Sequence, residues 1–307
     1  MRMTHSPKAF VAFAVLACTA CPAVAQQTVE PVYRVANESA AAPAPTAAAP
    51  VAAPAPAAAP VAATPVSAPT PFDLTQKPGE HPLAPTVRVL TDVLNNIDQN
   101  VRDYTCTFIK QESLEGVPGE QQHIMLKVRN QPFSVYMKFL QPYQGREVLF
   151  VDGINNNEMT VLEAGWKRNL GKMNLDPTGM VAMRGQRHPV TEVGLRNLTA
   201  KLLAGKTAEM KFGECVVTSN PNTKIDNRPT TLIQVEHPTA RKEFATHITR
   251  IFLDNELRVP ICYDAYMWPE AAGQAPPLDA RYIYSNLKLN VGLAAQDFDS
   301  NNPAIFQ

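Results

Sequence analysis

Histidine, cysteine and carboxylate side chains are the groups in this 307-residue chain able to move protons, attack carbonyls or hold a metal, and their spacing decides whether they do. His188 and His237 each precede a proline, which places them at element ends, while His123 and His247 fall in strand-like runs. No two have the short separation that lets a pair of imidazoles reach one ion, so they read as surface or capping histidines. Asp152, Asp254 and Asp264 stand near turns or in strands, and nothing in the residue order sets two of them across a cleft. The chain has no G-x-S-x-G elbow, no H-E-x-x-H, no phosphate-binding loop and no dinucleotide glycine fingerprint. Catalysis is therefore not expected, and no residue pattern asks for a metal or a cofactor.

Cysteine usage speaks to compartment. Cys18 and Cys21 fall in an N-terminal leader, leaving Cys106, Cys215 and Cys262, an odd number for an oxidising space. One pair and one buried thiol is the reading. Cys106 lies on an early strand and Cys262 on a late one, and curling a sheet toward a barrel brings early and late strands together, so a Cys106 to Cys262 disulfide is expected. Three buried thiols is the open alternative. A nucleophilic Cys106 would need a base beside it, and none is indicated.

What stands out is apolar and adaptable. Eight methionines (125, 137, 159, 173, 180, 183, 210 and 267) fall in the body of the chain, three of them in the irregular stretch from Leu170 to His188. Methionine conforms to irregular ligands as readily as it fills a core. Alternation puts Phe133, Met137 and Phe139 on one strand face, and Phe150 on a neighbouring strand joins them. With Trp166, Met173, Met180 and Met183 they form the expected contact set for an acyl-type ligand, closed in by the 170–188 segment. The cations Lys167, Arg168, Lys172, Arg184 and Arg187 are candidates for anionic headgroups or an ordinary solvated loop face.

The elements that must position these residues are legible. Arg2 and Lys8 precede the apolar run Ala9 to Ala20, and Ala23-Val24-Ala25 forms an A-x-A cleavage site, so residues 1–25 read as a secretory signal peptide with a periplasmic product. Val15-Leu16-Ala17-Cys18 resembles a lipobox, which would instead leave a lipoprotein anchored through Cys18. Residues 26–80 read as an Ala/Pro-rich disordered linker, since a proline every few residues blocks helix and favours extended chain. Residues 81–307 then form one domain. Leu83, Val87, Leu90, Leu94, Ile97 and Val101 recur at helical spacing. From Asp103 the period becomes two, giving strands near 104–109, 124–128, 133–139, 146–151 and 158–163. A second helix is expected over 189–204, followed by strands near 215–218, 230–236, 246–254, 259–267 and 281–289. With about ten strands, two helices and no βαβ alternation, the fold class is mainly β: a strongly curved antiparallel sheet or half-open barrel with two covering helices. Lys plus Arg and Asp plus Glu are 28 each, which argues against a nucleic-acid partner.

Several motifs carry a resemblance. Tyr104-Thr105-Cys106-Thr107-Phe108, Val135 to Leu140, Gly145-Arg146-Glu147-Val148-Leu149-Phe150-Val151-Asp152-Gly153, Arg187 to Leu195 and Leu287 to Leu293 with Asp297-Phe298-Asp299 are similar to the bacterial domain-of-unknown-function family 1571. More remotely, the order of helix, strands, helix and strands resembles the periplasmic lipoprotein carriers and receptors of the LolA and LolB type and the regulator RseB. That resemblance implies an open barrel sheltering acyl chains. Two functions follow as expectations: a non-catalytic envelope carrier or sensor of a lipid, acyl or lipoprotein ligand, or an interaction module with a filled barrel that docks on envelope protein or polysaccharide.

Overall fold

The computed structural model describes residues 71–271 and 273–306. The expected signal peptide (1–25), the lipobox at Cys18 and the linker from 26 to 70 lie outside the described residues. Packing begins before the expected domain boundary at residue 81. Phe72 is buried, with the Arg258 guanidinium 3.5 Å above its ring, and Arg88 is bonded to Glu80 and to the Thr75 carbonyl.

Helix α1 (Ala84–Asn100) starts with Pro85 in its first turn, where a missing N–H costs nothing, and buries Val89, Leu90, Val93 and Ile97 along one stripe. Five antiparallel strands follow in a meander: β1 (Asp103–Leu114), β3 (Gln122–Arg129), β4 (Ser134–Gln141), β5 (Glu147–Val151) and β6 (Met159–Leu162), with a short β2 (Val117–Pro118) in the first hairpin and β7 (Met173–Leu175) added at the edge. A crossing segment holds the single turn α2 (Met180–Met183) and leads to α3 (Leu195–Glu209). Five more strands complete the sheet: β8 (Val216–Ile225), β9 (Arg228–Glu236), β10 (Ile248–Asp254), β11 (Pro260–Tyr266) and β12 (Leu278–Leu289). The order is β7-β6-β5-β4-β3-β1-β12-β11-β10-β9-β8, so the first and last long strands pair in the middle and the sheet stays open at β7 and β8. Register shifts interrupt the β1–β12, β3–β4, β10–β11, β11–β12 and β8–β9 ladders, which is how a wide antiparallel sheet takes up curvature.

One face of this sheet is mainly apolar, and both long helices contribute to the core that covers it. Cys106 and Phe108 of β1, Leu126 and Val128 of β3, Val135 and Met137 of β4, Tyr282 and Tyr284 of β12, Ile251 and Leu253 of β10 and Ile233 and Val235 of β9 all belong to the core shared with α1 and α3. The opposite face carries a smaller cluster, in which Phe298 and Ile305 of the C-terminal segment cover Tyr136 and Leu149. Glu147, fully buried there, accepts hydrogen bonds from the Tyr136 hydroxyl at 2.5 Å and from the Phe306 backbone.

Two expectations are corrected. The second helix begins at Leu195 instead of Pro189, because Gly194 has φ +115° and a Cβ there would sit 2.8 Å from the Tyr104 hydroxyl. That hydroxyl accepts the Leu195 N–H at 2.9 Å, so the glycine lets the chain press onto β1 and turn into the helix. The Cys106 to Cys262 disulfide is absent, and Cys106, Cys215 and Cys262 are free thiols. An early and a late strand do pair, β1 with β12, but β12 then lies between β1 and β11. Cys262 is level with Ile283, which is level with Ile109, so the two cysteines point to opposite faces. Two strand spacings of about 4.8 Å plus the offset along the strands exceed the ~7 Å limit for a bridge. Denaturing alkylation without reductant should therefore modify all three thiols. A mass showing one alkyl group and a retained pair would contradict this arrangement.

Candidate functional site

The long helix α3 does not lie flush on the sheet. Leu195, Thr199, Leu202 and Lys206 face the core, while Leu198, Lys201, Leu202 and Gly205 border a cavity of about 280 Å³ between the helix and the strands beneath. Its floor is aromatic: Phe108 of β1, Tyr282 and Tyr284 of β12 and Tyr263 of β11. These share a face because Phe108 is level with Tyr284 and Tyr263 with Tyr282. Phe108 and Tyr284 lie 5.0 Å apart, and Tyr263 stacks on Tyr282 at 5.7 Å. Burial pushes the Tyr263 hydroxyl up to about 12, with the charge of Asp279 adding to the effect, so it faces the cavity as a neutral phenol.

Around this floor stand four cations, and each has its own carboxylate. Lys110 lies 3.2 Å from Glu112, Arg187 is bonded to Asp279, Lys201 to Glu192, and Lys206 sits 2.8 Å from Glu209. Glu112 also accepts from the Tyr282 hydroxyl at 2.5 Å. Burial alone would raise the Glu112 carboxyl, but Lys110 and the Tyr282 bond outweigh it and hold it low. The deep end is the most enclosed. Lys206 is 3% exposed, and Glu209 lies 3.1 Å from Nε2 of His237, which is 1% exposed and stacked on Phe244 at 3.9 Å. An ionised carboxylate only accepts, so this nitrogen carries the hydrogen. Thr249 adds its hydroxyl 3.4 Å from the Lys206 ammonium. The surface reading of His237 is thus replaced by a buried structural one, whereas His188 remains half-exposed at the rim beside Glu192. Such a cavity offers an apolar bed and a ring of polar groups that already satisfy one another, which suits a ligand with a hydrophobic body.

The eight residues expected to contact an acyl ligand divide into two sets. Phe133, Met137, Phe139, Phe150 and Met173 share the helix-covered face of β4 to β7: Met137 is level with Val148, Val148 with Val161, and Val161 with Met173. Met137, Phe139 and Phe150 are buried, and Phe133 packs 6.2 Å from Phe150. Trp166 and Met180 instead point outward, at 75% and 90% exposure, and Met183 is half-buried. None of the eight lines the 280 Å³ cavity. The cavity residues had one legible signal, the Tyr282-x-Tyr284 alternation that puts two phenols on one strand face. Gly205 had none, since only the packed helix shows that its missing side chain faces open space.

Residues 101–305 match the family described as protein of unknown function, DUF1571. The chain belongs to this family. The DUF1571 match begins just after α1, and it contains every strand, α3 and the whole cavity lining. No curated protein matches the chain. Among solved structures, this DUF1571 chain is similar to MucB in its complex with MucA from Pseudomonas aeruginosa (13% identity, TM-score 0.42, 70% of this chain and 61% of that one). It is also similar to the lipoprotein LppX of Mycobacterium tuberculosis (13%, TM-score 0.40, 70% and 100%) and to a LolA superfamily protein of Nitrosomonas europaea (9%, TM-score 0.27, 69% and 97%). The chain thus spans about three-fifths of MucB's length.

Proposed function

We propose that this domain is a non-catalytic envelope protein that binds a hydrophobic, acyl-type ligand in the cavity beneath α3. The observation that carries the proposal is the combination of an aromatic floor beneath α3, a lining that Gly205 leaves without a side chain, and four self-satisfied ion pairs around the space. Burying an acyl chain there gains about 0.8 kcal/mol per methylene. The same pairing supports a non-catalytic role: Glu112, Glu192, Glu209 and Asp279 are each held by a cation, and burial pushes the Cys106 and Cys262 thiols up, away from the reactive thiolate. Export rests on the leader-like residues 1–25 of the sequence. Among the described residues, no helix is long and apolar enough to cross a membrane.

A second placement of the same ligand has its own support. Phe133, Met137, Phe139, Phe150 and Met173 form a continuous apolar face, and Ala182 of the crossing segment packs on the same core, so a chain could slip beneath that segment. The two placements separate cleanly. Residues 64–307 form one compact unit, and this fragment should bind a fluorescent fatty-acid probe saturably at one site. Met180→Asp and Met183→Asp should leave that binding unchanged if the cavity under α3 is the site, and should weaken it if the crossing segment is. Absence of saturable binding would overturn both and leave the filled-barrel docking module.

A further inference from the structure

The antiparallel register assigns every turn to one end of the sheet or the other, and the exposed apolar side chains do not divide evenly between them. The β1–β2 tip carries Leu114 and Val117, the β4–β5 turn carries Leu140 and Tyr143, and the stretch after β6 carries Trp166 and Leu170. All three connections lie at the end where β1, β4 and β6 finish. The opposite end exposes Ile154 and Val291. The last two of these turns are joined. Arg168 donates to the Gly145 carbonyl at 2.9 Å, and Arg146 lies 4.4 Å over the Tyr143 ring while donating from Nε and Nη2 to one carboxylate oxygen of Glu163 at 3.0 and 2.8 Å. The two arginines thus hold a single platform together.

Cations outnumber carboxylates on that platform. Residues 138–147 and 163–172 contain Lys138, Arg146, Lys167, Arg168 and Lys172 against Glu147 and Glu163, of which Glu163 pairs with Arg146 and the buried Glu147 lies 3.6 Å from Lys138 and 4.0 Å from Arg168. An exposed indole and phenol, two leucines and an excess of cations on adjoining turns are the composition that sits at a bilayer interface, with rings at headgroup depth and ammonium groups on anionic lipid. We infer that the β4–β5 turn and the 164–172 segment dock the domain on an anionic membrane surface. Glu112, Arg187 and Asp279 of the cavity rim lie toward the same end of the sheet, so docking would bring the cavity mouth near the lipid. The inference does not depend on the cavity holding a ligand.

The test uses residues 64–307 and vesicles of phosphatidylcholine alone or with one part phosphatidylglycerol to two parts phosphatidylcholine. Wild type should co-sediment with the anionic vesicles and much less with the neutral ones. In a Trp268→Phe background, which leaves Trp166 as the one remaining tryptophan of two, emission should shift to the blue on binding. Trp166→Ala with Leu170→Ala should weaken vesicle binding at least about tenfold, with circular dichroism and thermal midpoint unchanged. Lys167→Glu should weaken binding to anionic vesicles alone, and Gly205→Trp, a substitution on the cavity lining, should bind vesicles like wild type. Failure to sediment with anionic vesicles, equal sedimentation with neutral ones, or wild-type binding by the double variant would each overturn the assignment. So would concentration-dependent self-association abolished by the same two substitutions, since the platform would then be an interface between copies.

Discussion

Gly205→Trp should weaken saturable fatty-acid binding by about two orders of magnitude while leaving the fold standing. Gly205 sits on the cavity-facing side of α3 with Leu198 and Leu202, one or two turns away, and a Cβ built there meets no atom within 4 Å. A glycine in a helix interior costs about 0.5–1 kcal/mol relative to alanine, so its presence mid-helix needs a packing or functional reason. Open space in front of it supplies one. Gly205→Ala should therefore raise stability by about 0.5–1 kcal/mol and leave most of the probe affinity. The indole of Gly205→Trp should fill the space between α3 and the tyrosine floor. If it displaces four methylenes of the bound chain, at about 0.8 kcal/mol each, affinity falls by about two orders of magnitude. Titration of the probe against both variants, with urea denaturation alongside, checks the pair of outcomes. Unchanged binding by a folded Gly205→Trp would sink the cavity as the site and favour the face beneath the crossing segment.

The contrast between what could and could not be seen in the chain follows from the range of the interactions. Period-two alternation in 104–109 or 281–289 is a local property, so the strands and the mainly antiparallel class were legible, as was the stripe of α1. The pairing of β1 with β12 depends on residues far apart in sequence, which is why the expected Cys106 to Cys262 bridge missed the strand between them. The acyl-contact set was chosen by side-chain type. Aromatic and methionine side chains serve core and ligand equally well, and Met137, Phe139 and Phe150 proved to be buried in the core. The cavity depends instead on how far a helix stands from a sheet. Gly194 brings the start of α3 against Tyr104 and Gly205 leaves its part of the lining without a side chain, and neither consequence can be read from the glycine alone. Glu147 shows the same limit: the Arg146-Glu147-Val148 motif reads as an ordinary strand start, and its burial under the C-terminal segment is visible only in three dimensions.

Glu209→Ala should be the most destabilising single substitution around the cavity. Lys206 and Glu209 lie three residues apart on α3, both buried, with the ammonium 2.8 Å from one carboxylate oxygen and 3.1 Å from the other. Removing the carboxylate strands the Lys206 charge and the His237 N–H in an apolar setting, which costs about 3–5 kcal/mol against a typical total of about 5–15. Glu209→Gln keeps a hydrogen-bond acceptor for His237 and should cost less. Lys206→Met with Glu209→Gln removes both charges and should recover most of the loss, because an ion pair taken out whole leaves no buried charge behind. The pH dependence has a defined sign. Burial alone would raise the Glu209 carboxyl, but the His237 bond and the Lys206 charge hold it below its ordinary value of 4.5. The unfolded chain therefore takes up the proton first, so the stabilisation is full above that value and fades as pH falls through the lower folded one. Glu112 is held low in the same way by Lys110 and Tyr282, so Glu209→Gln should flatten the acid limb of a urea-stability profile without erasing it. If the Lys206→Met/Glu209→Gln protein is as unstable as Glu209→Ala, the cost comes from lost packing of the side chains themselves. The deep end of the cavity would then be held by shape, and the ring of ion pairs could no longer be credited with keeping α3 seated above the tyrosine floor.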